Sequence, residues 1–153
     1  MISKDDKLLS TLQALCARKE YCSADIYKKA LKGLDGDDAG AADLVARLVA
    51  DGFVDDLRYA TAFARDKACL DGWGPVKIGF QLRGKGLSAA LVDEALASVD
   101  PDKASARLRA VLEAKARTLK GDAEMRLKLL KFGLQRGYEY SALDPVVKSL
   151  LSR

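Results

Sequence analysis

The chain has 153 residues, enough for one domain or a short array of small units, and carries 26 Lys and Arg against 22 Asp and Glu with no histidine. The missing imidazole removes the commonest general base, the Ser-His and Cys-His nucleophile pairs and histidine metal ligation. Three cysteines without a C-x-x-C spacing argue against a disulfide framework or zinc site, and no stretch reaches the roughly 18 apolar residues of a membrane span.

Apolar residues recur at spacings of three and four nearly throughout, and two-residue alternation is sustained nowhere, so the chain reads as all-α. Asp5-Asp6 opens a first helix carrying Leu8, Leu9, Leu12, Leu15 and Cys16 on one face. Ser23 is the expected cap of a second, with Ile26, Ala30 and Leu31 inward, and the glycine-rich link from Gly33 to Gly40 ends it. A third helix follows with Leu44, Val45, Leu48 and Val49, stopped by Gly52. The pattern restarts at Asp55-Asp56, with Ala60, Phe63, Ala64 and Leu70 inward. Pro75 then starts a helix that turns Val76, Ile78, Phe80 and Leu82 toward its neighbours, and Ser88 caps one bearing Leu91, Val92, Ala95 and Leu96. A third cycle begins at Asp100-Pro101, with Leu108, Val111, Leu112 and Leu119, continues from Met125 to Leu134, and closes behind Ser141 with Val146, Val147, Leu150 and Leu151.

Starts near 6, 56 and 101 repeat at about 45–50 residues, the range of stacked helical repeats. The expected architecture is three tandem three-helix units of helix-turn-helix type, at 1–54, 55–99 and 100–153, in an elongated, curved array. A repeat array with charged outer faces needs no second copy, so a monomer is expected. The charge-broken N-terminus MISKDDKLLSTLQAL has no export signal, which fits a cytoplasmic protein.

Several chemistries suggested by local motifs fail on context. Gly79-x-x-x-x-Gly84-Lys85 imitates a phosphate-binding loop, but Gly86 stands where Ser or Thr should hold magnesium, and a helix rather than a strand precedes the glycines. A DNA-reading helix over SAALVDEALAS would offer no Arg, Lys, Asn or Gln and would present Asp93 and Glu94 to phosphates. Asp55-Asp56 imitates a catalytic carboxylate pair, yet adjacent acids at a helix start more simply complement the macrodipole. No cofactor, metal or catalytic residue is expected.

What survives is a surface. Positive charge gathers toward the C-terminus, where residues 103–153 hold 12 Lys and Arg against 5 Asp and Glu. Lys77, Gln81 and Lys85 fall at i, i+4 and i+8 on one helix, and Arg58 and Arg65 at i and i+7 on the helix before it. Arg109 and Arg117 align on a later helix, and Lys128 and Lys131 on the next. Trp73, flanked by glycines at a helix entry, is expected to close a core.

The stretch FVDDLRYATAFARDKACLDGWGPVKIGFQLRGKGLS resembles the RecX family of bacterial recombinase regulators. Its signature is met by Asp55, Asp56, Arg58, Tyr59, Ala60, Phe63, Arg65 and Lys67, then by Gly72, Gly74, Pro75, Lys77, Ile78, Leu82, Lys85 and Gly86. The resemblance implies a non-enzymatic modulator that binds the RecA recombinase and docks in the groove of its filament on single-stranded DNA. It further implies inhibition of filament extension, ATP hydrolysis, strand exchange and coprotease activity, modulating DNA repair and the SOS response. The cations expected to contact RecA or DNA are Arg58, Arg65, Lys77, Arg83 and Lys85 in the middle unit and Arg109, Arg117, Lys128 and Lys131 in the last. The alternative is a helical DNA-binding module without a recombinase partner.

Overall fold

The computed structural model describes residues 3–152, which form nine α-helices and no strand. In chain order these are α1 (Lys4–Arg18), α2 (Ser23–Gly33), α3 (Asp38–Ala50), α4 (Asp56–Cys69), α5 (Pro75–Gly84), α6 (Ala89–Ala97), α7 (Pro101–Thr118), α8 (Met125–Gln135) and α9 (Tyr140–Leu151). Most starts follow a short polar side chain whose oxygen accepts an otherwise orphan N–H two or three residues on. Ser3, Asp37, Asp55, Ser88 and Asp100 do this for α1, α3, α4, α6 and α7.

Two expected caps are displaced. Ser23 is the first residue of α2 rather than its cap, and the cap position holds the buried Cys22 with no side-chain bond. Ser141 lies inside α9, because the chain turns at Gly137, whose φ is positive (+95°), and re-enters helix already at Tyr140.

Each successive trio of helices encloses its own apolar cluster, giving an all-α helical repeat fold. Leu12, Ile26 and Leu48 are fully buried in the first, Ile78, Leu82 and Val92 in the second, and Leu112, Leu129 and Leu143 in the third. The middle cluster is built on Ala60, Ala64 and Ala68, one turn apart along α4. Small residues on that stripe let α4 approach α5, α6 and, at the boundary, α7 closely.

Some residues expected inside are outside. Val76 is 51%, Phe80 68% and Leu70 65% exposed, and Val49, Leu134 and Leu151 are also exposed. A helix in a three-helix group buries a stripe little wider than 100°. On α5 that stripe is taken by Ile78, Gly79 and Leu82, and Phe80 lies about 200° round the axis from Ile78. Gly79 is thus a buried residue inside a helix, against Val92 and Leu96 of α6, which closes the phosphate-loop reading geometrically.

Candidate docking surface

The nine cations singled out from the sequence divide by what they touch, and two of them, Arg58 and Lys85, connect one trio of helices to the next. Arg58 sends Nε to Glu20 Oε1 at 2.7 Å and Nη2 to the Gly52 carbonyl at 3.0 Å, tying α4 back to the chain around α1 and α3. Lys85, just past α5, reaches Asp25 Oδ2 on α2 at 3.0 Å. Lys77 lays its ammonium 4.1 Å from the Trp73 ring centroid, with the Lys67 ammonium 4.6 Å from that centroid. Trp73 itself packs edge-on to Phe63 against the middle cluster.

Two more are tied within the last trio. Arg109 donates Nε to Glu113 at 3.1 Å and Nη2 to Ser149 Oγ at 3.2 Å, and Lys128 pairs with Asp122 at 2.5 Å. Arg65 is exposed and donates only a long 3.4 Å bond to the Ser98 carbonyl, from a cleft of about 360 Å³ that it shares with Leu70 and Lys103. Arg83, Arg117 and Lys131 are exposed and have no side-chain hydrogen bond or ion pair among the described residues.

The two joints differ in kind. Between the first and middle trios the contacts are charged: besides Arg58 and Lys85, the Asp56 carboxylate accepts Ser23 N–H at 2.7 Å and Ser23 Oγ–H at 2.6 Å. Sequence reasoning gave Asp55 and Asp56 one shared role, yet Asp55 caps its own helix while Asp56 serves α2. Between the middle and last trios the contacts are backbone. Gly74 N–H donates to the Arg136 carbonyl at 2.7 Å and Val76 N–H to the Gly137 carbonyl at 3.0 Å, and the Arg136 guanidinium bonds the Asp71 carbonyl. Sequence spacing also missed Lys103 and Arg107, one turn apart along α7, and Lys115 with Phe132 between α7 and α8. The only signal for these was the charge excess after residue 103.

The first joint responds to pH. Burial pushes the Asp25 carboxyl up, but the hydrogen bonds of Lys85 and Cys22 outweigh it and hold the group below its ordinary value. The same hydrogen bond, against a smaller desolvation, holds Lys85 above its ordinary value. Asp25 therefore contributes stability that is present above about pH 3.9 and is lost as pH falls through its lower folded value. Lys85 contributes below about pH 10.4 and loses it as pH rises further. With Lys85 still 39% exposed, water screens the pair to no more than about 1 kcal/mol. Urea titrations at stepped pH should show Asp25→Asn less stable at neutrality and converging on the parent as the pH falls below the ordinary carboxylate value and then through the lower folded one; parallel curves would refute the assignment.

No three His, Cys, Asp or Glu side chains are grouped to hold a metal ion among the described residues, and no helix there is long and apolar enough to cross a membrane. A family model described as RecX, second three-helix domain, matches residues 55–96, from the Asp55 cap through α6. A regulatory protein RecX of Clostridium botulinum is 31% identical over 126 residues, 80% of this chain and 58% of the relative. The chain belongs to the RecX family. A RecX of Xanthomonas axonopodis pv. citri is 36% identical over 89 residues, 58% of this chain and 53% of that protein, so the chain spans a little over half the length of these relatives. The crystal structure of RecX from Lactobacillus salivarius superposes with a TM-score of 0.84 at 18% identity, covering 98% of both chains. A second RecX crystal structure gives 0.80 at 21% identity, covering 98% of this chain and 72% of the other. At such identities the superpositions speak for the RecX fold alone. The RecX signature residues Asp56, Arg58, Gly74 and Lys85 lie at the joints between trios, and the backbone of Lys77 lies there against Gly137.

Proposed function

We propose that this chain regulates the RecA recombinase by binding it and its filament on single-stranded DNA, inhibiting filament extension, ATP hydrolysis, strand exchange and coprotease activity. The observation that carries the reading is the family signature coupled to a set of cations the fold does not use for itself. Arg65, Arg83, Arg117 and Lys131 stay exposed after Arg58 and Lys85 have been spent on the first joint and Lys77 on the Trp73 ring. A row of helical trios held at set angles can touch successive protomers of a fibre, and individually weak contacts then add through effective concentration. The signature cations support this reading as spacers of the surface, and the exposed ones as the surface itself. The units at 1–54, 55–99 and 100–153 are, in this proposal, the successive contact modules.

The test is DNA-dependent ATP hydrolysis by the cognate RecA titrated with this protein. The parent chain is expected to inhibit at or below stoichiometric amounts. Arg65→Glu with Arg83→Glu should raise the concentration for half-inhibition about tenfold or more with an unchanged melting temperature, since reversed charges at a polar interface oppose association. No inhibition by the parent chain would overturn the reading, and full inhibition by the double variant would overturn the surface assignment.

A further inference from the structure

Between α7 and α8 lies a cleft of about 270 Å³ walled by Lys115 of α7 and Leu119 just past its end, and by Lys128, Lys131, Phe132 and Gln135 of α8. Three ammonium groups line it and no carboxylate does. The lining residues recur about a turn apart, so the cleft runs along the helix axes for about 10 Å. Phe132 is half-buried, and the Lys115 ammonium sits 5.5 Å from its ring centroid. Lys131 has no partner among the described residues, and Lys128 is held aside by Asp122.

The ligand chemistry follows from that set. The volume falls just below the roughly 300–1,000 Å³ of a small-molecule site, so the cleft suits one planar group of a longer ligand. Lysines act as point charges that take phosphates without demanding a register, whereas carboxylate recognition favours the bidentate fork of arginine. An aromatic ring beside lysines, in a segment with 12 cations and 5 acids, is the pairing used on single strands, where bases stack and phosphates are neutralised. We propose that this cleft is a single-stranded nucleic-acid subsite: Lys115 and Lys131 take phosphates, and a base replaces the Lys115 ammonium over Phe132. The inference rests on the filament reading, which supplies the single strand, and it places DNA on the last trio of helices.

The test uses the full chain without recombinase, titrated by anisotropy against labelled oligothymidylate over a salt series. Lys115→Glu with Lys131→Glu should weaken binding about tenfold or more and lower the salt slope by about 1.4, the share of two phosphates on a single strand. The equally charged Lys32→Glu with Arg47→Glu, on the first trio, should leave the slope within about 0.5 of the parent. Phe132→Leu should weaken binding about fivefold or more with the slope unchanged, because stacking releases no counterions. Absent oligothymidylate binding, an unaltered slope in the lysine pair, or a polyglutamate peptide bound as tightly as the oligonucleotide would each overturn the proposal. The lysine pair is on the surface, so that arm stands even if Phe132→Leu unfolds. These failures sink the cleft and leave the filament reading standing, whereas absent ATPase inhibition by the parent chain sinks the filament reading itself.

Discussion

Gly74→Ala is expected to lower stability by about 3–4 kcal/mol, combining overpacking with the loss of two backbone hydrogen bonds. A β-carbon at position 74 would run into the Gly137 carbonyl and stand 2.6 Å from the Tyr138 nitrogen. Neither strand of backbone can retreat. Gly74 N–H is bonded to the Arg136 carbonyl at 2.7 Å and Val76 N–H to the Gly137 carbonyl at 3.0 Å, so a shift that relieves the clash breaks both. The fit is reciprocal, since a β-carbon on Gly137 would meet that of Lys77 and stand 2.6 Å from the Lys77 nitrogen. Gly137 also holds φ at +95°, where an L side chain is strained. For a chain of this length the loss corresponds to a fall in melting temperature of about 6–16 °C. Hydrogen exchange should quicken at Gly74 and Val76 before it does in the core of α4. A fall under about 2 °C would show that the two backbones separate easily and that the second joint is soft.

Asp56→Ala is expected to cost about 2–3 kcal/mol, against about 1 kcal/mol for its neighbour Asp55→Ala. Asp55 is a local cap, accepting one bond from Arg58 N–H at 3.0 Å. Asp56 accepts two charge-assisted bonds from Ser23 in a half-buried setting and puts its charge at the N-terminus of α2. Removing it leaves the Ser23 N–H without an acceptor and detaches the first trio from the second at its shortest contact. Chemical denaturation of Asp56→Ala, Ser23→Ala and the double variant forms a cycle, and a coupling of about 1–2 kcal/mol is expected. Additive losses would mean that the carboxylate acts only through the start of its own helix.

Both predictions concern signature residues, and both place their effect at joints. This separates geometry from contact in a way that inhibition assays can exploit. A variant at Lys85 or Asp56 should change the relation between trios, whereas one at Arg83 or Lys131 should leave the architecture alone.

The amino-acid sequence by itself determined the helices, some of their caps and the three apolar clusters. The information for those lies within a turn or two of chain: a 3.6-residue period, a short oxygen-bearing side chain before the first turn, a proline at Pro75 or Pro101. Ser23 shows where that local reading ends, because its best partner is an aspartate 33 residues on. The i, i+4, i+8 run of Lys77, Gln81 and Lys85 identified a shared helix and left open what faces it. Only the tertiary structure decided that Lys85 meets Asp25, 60 residues away, that Arg58 meets Glu20, 38 residues away, and that Lys77 closes over Trp73. A charge at a given helix position looks the same in sequence whether water or a carboxylate lies opposite. The assignment of cations to joints or to an open surface is settled by packing between elements far apart in the chain, which no local period encodes.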